Sequence, residues 1–168
     1  MKPIFAETTE ELKGEWERVV LYSRLPQLEE DHPITRCYQR GKESVERYIR
    51  EMLLPRLENL SPEERRHYRL HQRRIEVSYW CSGEMIEERF WSIRLQIQYR
   101  LPEGNREEES WRVWDRDERV LCPIDLFLPR KRRKGLHRWN FALREDSLWV
   151  YPEKGGEGKW IARIGGKT

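Results

Sequence analysis

His67 and His71 in "HYRLH" stand four residues apart, the spacing that puts two imidazoles on one helical face and suits a divalent metal. A catalytic zinc helix also needs a glutamate between them and a further ligand. Here Tyr68, Arg69 and Leu70 fill the gap, so the pair reads as surface or packing histidines. Cys122 and His137 have the types of a nucleophile and its base, yet no family signature surrounds either, and Cys122 reads as a buried thiol. Asp115, Asp117 and Glu118 in "WDRDER" could do general acid/base work or hold a cation, but a polar hairpin turn needs the same residues. "GGEG" lacks the lysine that follows the glycines of a phosphate loop and reads as a plain loop. These residues imply a protein that is not an enzyme and carries no metal and no cofactor. The alternative is a hydrolase whose site is assembled from residues distant in sequence.

Binding chemistry has more support. "DERVLCPIDLFLPRKRRKG" passes from an apolar run into the basic residues Arg130, Lys131, Arg132, Arg133 and Lys134. Five cations could engage phosphates, with Trp139 or Trp149 stacking on unpaired bases, which makes a nucleic-acid-binding protein the other alternative. Between Pro129 and Gly135, however, a solvated connector is the simpler reading, with Leu126, Phe127 and Leu128 anchoring its start. Eight tryptophans are too many for a small core to hide. Trp80 lies on the strand face opposite Ile75, Val77 and Tyr79, and Trp114 on the face opposite Trp111 and Val113. Both are expected at a binding surface, for which a protein partner is the expectation.

The chain has 168 residues, 33 basic and 30 acidic, with a net charge of +3, so any attraction to a polyanion must be local. One domain over residues 1–168 is expected. Cys37, Cys81 and Cys122 lack paired spacing and read as reduced and mostly buried. With no signal peptide or apolar span in the sequence as written, a cytoplasmic chain is expected.

Any site must be carried by the periodic segments. "ESVERYIREMLL" places Val45, Tyr48, Ile49, Met52 and Leu53 on one helical face, and Pro55 should kink or stop that helix near Leu54. "NLSPEERRHYRLH" predicts a second, short helix with Ser61 as cap, Pro62 at the first position and Glu64 completing a capping box. From residue 73 the period becomes two. "RIEVSYWC" and "WSIRLQIQYRL" predict a hairpin turning at "SGE", with Trp91, Ile93, Leu95, Ile97, Tyr99 and Leu101 on the dry face. Further strands are predicted at "SWRVWD", "WNFAL", "SLWVY" and "KWIARI". "RVVLYSRLP" reads as an early strand ending at Pro26 rather than as a continuation of "TEELKGEWER" as helix. The sum is an α+β fold, an antiparallel sheet with a long amphipathic helix packed on one face. Val45, Tyr48, Ile49, Met52 and Leu53 are expected to pack against Trp91, Ile93, Leu95 and Ile97.

"VWDRDERVLCPIDLF", followed after a loop by "NFALREDSLWVYP", resembles the C-terminal domain of RsiV-type anti-sigma factors and bacterial proteins of unknown function that share it. Ile124, Asp125, Leu126 and Phe127 match one segment of that pattern, and Asp146, Leu148, Val150 and Tyr151 the other. "YSRLPQLE" and "ITRCYQRGKESVERYIREMLLPRLE" look like its opening strand, proline and long helix, so the likeness spans about residues 17–152. The resemblance implies a non-catalytic sensing or binding module, in a family often extracytoplasmic whose anti-sigma members bind lysozyme. This chain departs from the pattern in lacking a transmembrane helix and a sigma-binding region, and in carrying "PEGNREEES" where a glycine-rich loop with histidine is common. Lysozyme recognition is therefore not implied. "PIDLF" would close a sheet element against the core.

Overall fold

The computed structural model describes residues 4–70, 74–145, 147–152 and 157–163. A six-stranded sheet runs β1 (Phe5–Lys13), β2 (Arg18–Pro26), β3 (Glu76–Ile86), β4 (Phe90–Leu101), β5 (Gly104–Asp115) and β6 (Val120–Leu121), each strand beside the next in space. A second sheet holds β7 (Phe141–Arg144), β8 (Ser147–Val150) and β9 (Lys159–Arg163). The fold is α+β and mostly antiparallel. One pair differs from expectation: β2 and β3 are parallel, because the chain returns to the sheet through the helix, and a crossover of that length joins strands that point the same way. "TEELK" is not helical but lies in β1, pairing with β2 along its length.

The long helix starts at Pro33 and runs 26 residues to Glu58 as α1 (Pro33–Tyr48), a π turn at Ile49–Leu53 and α2 (Leu54–Glu58). Pro55 does not stop it. Proline lacks an N–H and its ring opposes the carbonyl four residues back, and the widened turn, with Leu54 N–H bonded to Ile49 O, absorbs that conflict. The wider turn also rotates the downstream face. Val45, Ile49, Leu53, Leu54 and Leu57 are buried, whereas Met52 is 62% exposed and takes no part in the packing expected of it. Val45, Ile49 and Leu53 share a core with Trp91 and Ile93, and Tyr48, Leu95 and Ile97 pack at its margin. The short helix α3 (Pro62–His67) carries the capping box, Ser61 and Glu64 each accepting the other's backbone N–H.

The β3–β4 hairpin forms, but not at "SGE". Its turn falls at Glu87 and Glu88, both with positive φ, while Ser82, Gly83 and Glu84 continue β3. Gly83 serves another purpose: a Cβ there would lie 2.2 Å from Ser92 O, so the glycine permits close approach of β4 rather than a turn.

The small sheet covers the face of the large sheet opposite the helix, at one end only. There Val113, Cys122, Ile124, Leu128, Phe141, Leu143 and Leu148 form a second core. Ser92, on the strand face expected to be wet, is buried and accepts Leu143 N–H at 2.9 Å. Ile124 seals this core as the resemblance implied for "PIDLF", but Leu126 is 64% exposed and anchors nothing.

Candidate functional site

Where the small sheet stops, the outer face of the large sheet remains open and forms a groove. Its chemistry follows from strand register. Trp80 sits opposite Gln96, Ser82 opposite Arg94, Gln96 opposite Glu109 and Arg94 opposite Trp111. The even residues of β3 and β4 and the odd residues of β5 therefore present one continuous row of polar and aromatic side chains. At one end a cleft of 420 Å³ is lined by Tyr22, Ser78, Trp80 and Gln98, with the ion pair of Arg100 and Glu76 at 3.6 Å. At the other, a cleft of 710 Å³ opens between the two sheets, with walls from Arg94, Glu109, Trp111, Arg144, Trp149 and Tyr151.

The larger cleft is organised by internal bonds. Glu109, its side chain only 9% exposed, accepts Arg94 Nε at 2.6 Å and Trp111 Nε1 at 3.2 Å on the same oxygen, Oε1. The Trp111 and Tyr151 rings stack at 4.8 Å, tying β5 to the chain that leaves β8. Arg144 holds its guanidinium 5.1 Å from the Trp149 ring and donates to Tyr151 Oη at 3.2 Å. Beneath them Asn140 is buried, accepting Trp111 N–H at 2.8 Å and donating to Tyr151 O at 3.4 Å. These bonds hold the aromatic rings in fixed orientation while leaving them half-buried at the surface. Among the described residues, no histidine or cysteine lines this cleft.

The residues singled out from sequence are scattered. Trp80 lies in the groove, partly exposed, with Arg24 5.9 Å from its ring. Trp114 does not reach it. The tryptophan faces the helix, 7% exposed, and donates to Tyr38 Oη at 3.0 Å, because the small sheet covers the Trp111 and Val113 face and the helix covers the other. The basic block forms a separate turn, of which Arg130, Lys131 and Lys134 point to solvent. Two of the five also bond the protein: Arg132, exposed, donates to Ile161 O at 2.6 Å, and Arg133, half-buried, pairs with Asp125. Ile161 stands at the irregularity between β8 and β9, so Arg132 fills a carbonyl that the ladder there leaves open.

The candidates for catalysis separate likewise. Cys122 is fully buried, and burial, reinforced by the nearby Asp115 charge, pushes its thiol up to about 11. His137 is exposed, its Nδ1 accepting Trp139 N–H and Asn140 N–H. Cys37 is exposed rather than buried, and all three cysteines are free. His67 is on the surface, His71 and the first two residues of "GGEG" lie outside the described residues, and no cluster of metal-ligating side chains occurs among those described.

Asp115, Asp117 and Glu118 do form a turn, and Asp115 organises it. Its Oδ1 accepts the N–H groups of Asp117 and Glu118, both at 3.1 Å, and its Oδ2 accepts Arg89 Nε at 2.9 Å and Nη2 at 2.6 Å. Burial alone would raise its pKa, but the Arg89 and backbone bonds outweigh it and hold the carboxyl below the usual range. A carboxylate with depressed folded pKa adds stability above its unfolded value, and that stability is lost as pH falls through the folded value. Asp115→Asn should therefore cost about 1.5–3 kcal/mol at pH 7. In urea unfolding at successive pH values, the deficit should shrink as pH falls below the unfolded aspartate value of about 3.9 and through the lowered folded one; a constant deficit would refute the assignment.

No helix among the described residues is long and apolar enough to cross a membrane. Neither the scan of protein families nor the search of curated proteins finds a match. Among solved structures, the chain is similar to a DUF3298 family protein from Pseudomonas aeruginosa. The two share 9% identity and superpose with a TM-score of 0.55 over 96% of this chain and 90% of the other. That likeness establishes a shared fold.

Proposed function

We propose that this protein is a non-catalytic binding domain whose contact surface is the groove on the outer face of the six-stranded sheet, centred on the cleft beside Glu109, Trp111 and Trp149. The observation that carries the reading is the organisation of that cleft. Aromatic rings and guanidinium groups, the side chains most enriched where proteins bind, are held in place by buried Asn140 and Glu109 and still reach the surface. Fixing such side chains beforehand lowers the entropy lost on binding. The sensing-module resemblance of the sequence and the shared fold with a DUF3298 protein agree with this reading.

The test has two arms. Chromogenic ester, phosphomonoester, peptide and glycoside substrates should give no turnover; turnover abolished by Glu109→Gln would overturn the proposal. A displayed random-peptide library selected on the wild type should give binders that lose at least tenfold in affinity against Trp149→Ala. Binders indifferent to that change would place the contact surface elsewhere.

A further inference from the structure

β5 is the last long strand of the sheet, and β6 covers it only at Trp114 and Asp115. Upstream of these residues its outer edge is open. The direction of its backbone groups follows from two bonds: Trp111 N–H reaches Asn140 Oδ1 at 2.8 Å, and Val113 O accepts Cys122 N–H at 2.8 Å. Both point away from β4. In an antiparallel ladder alternate residues turn both backbone groups to the same side, so Asn105, Glu107 and Glu109 also turn theirs outward. None of these has a backbone partner on that side among the described residues. Asn140 closes the edge at Trp111, which delimits the open stretch to Gly104–Ser110.

Exposed edges in natural proteins are ordinarily blunted by proline, by bulges or by a covering element. Among the described residues β5 has none of these over this stretch: its register with β4 is unbroken from Gly104 to Asp115. Its one guard is charge, and only Glu109, paired with Arg94, has that charge compensated. Glu107 meets only the Gln96 amide, and neither it nor Glu108 has an ion-pair partner among the described residues. The neighbouring cation, Arg106, lies over the Tyr48 and Tyr99 rings instead. The opposite edge of the sheet differs. On β1, Glu7 pairs with Arg24, Glu10 with Lys42, and Glu11 with Lys13 and Arg18, so its acids are neutralised within the chain.

We propose that the open edge of β5, Gly104–Ser110, accepts an extended basic segment of a partner protein as an added strand, in register with Asn105, Glu107 and Glu109. Main-chain bonds to these residues supply affinity, and side chains on the groove side meet Glu107 at the mouth of the cleft, beside the Glu109–Arg94 pair. The acids select the occupant. A second copy pairing through the same edge would bring glutamates opposite one another, which is unfavourable, whereas arginine or lysine at alternate positions is complementary. This inference rests on the groove being the contact surface and adds the geometry and charge of what it binds.

The experiment is a fluorescence-polarisation titration of the full chain with a labelled peptide of alternating arginine and threonine, and with its glutamate–threonine counterpart. The basic peptide should bind at least tenfold more tightly than the acidic one, and more weakly as salt rises. Glu107→Pro removes one outward N–H and one charge, and the outward side of an edge strand tolerates proline. It should weaken the basic peptide at least tenfold, and Glu107→Gln should weaken it less, because only the charge is lost. Trp149→Ala tests the cleft separately: loss there with no effect of Glu107→Pro would leave the groove reading standing and overturn the added strand. Equal binding of the two peptides would also overturn it. So would amide shifts confined to β1, or dimerisation of the wild type that Glu107→Pro abolishes.

Discussion

Phe141→Ala is expected to cost about 3–5 kcal/mol, the range for removing a fully buried phenylalanine. Its ring is 0% exposed and lies 5.8 Å from that of Phe127, which in turn packs on Phe90 at 5.2 Å. Through these rings β7 is held on the large sheet, and with it the chain that carries Arg144, Trp149 and Tyr151 to the cleft. Because a domain's net stability is about 5–15 kcal/mol, a loss of this size is a large fraction of the total. Urea unfolding followed by tryptophan fluorescence measures it. The aromatic near-ultraviolet signal from the Trp111 and Tyr151 stack should weaken in the folded variant. A cost under about 1 kcal/mol would mean that the small sheet is held by something other than this core.

The second large effect is at the helix. Ile49→Ala should cost about 2–5 kcal/mol, since Ile49 is 0% exposed and packs between helix and sheet. Met52→Ala should fall within about 0.5 kcal/mol of wild type, as changes at exposed positions do. In a regular α-helix these two residues share a face. The contrast therefore tests the π turn, and equal costs for the two variants would show that the helix runs through Pro55 without it.

Most strand and helix identities were legible because they depend on short-range periodicity; "TEELK", a strand through its pairing with β2, was not. Alternation marked Trp91 through Leu101 as one face of β4, and the capping box at Ser61 and Glu64 was visible as a spacing. Bonds whose partners are close in sequence leave such traces. The position of the β3–β4 turn did not, because Gly83 has two physical uses, positive φ and close approach. Only the neighbouring strand, with Ser92 O beside it, decides between them.

The candidate site divides the same way. Alternation by itself put Trp80, Gln96 and Gln98 on the polar side of the sheet, and composition announced more aromatic surface than one core could bury. Which tryptophans remain at the surface is a property of what covers each face. The helix takes Trp114, the small sheet takes Val113, and Trp111 is left at the boundary beside Tyr151. Likewise five consecutive cations were plain in the sequence, but that Arg132 and Arg133 also bond the protein depends on Ile161 and Asp125 being brought beside them. The open edge of β5 belongs to the tertiary level for the same reason. Only "SWRVWD" is predicted as strand; that "NREEES" extends it, and whether its outward amides meet a neighbour, are settled by pairing with β4 and by how far β6 reaches, matters of sheet order and not of local sequence.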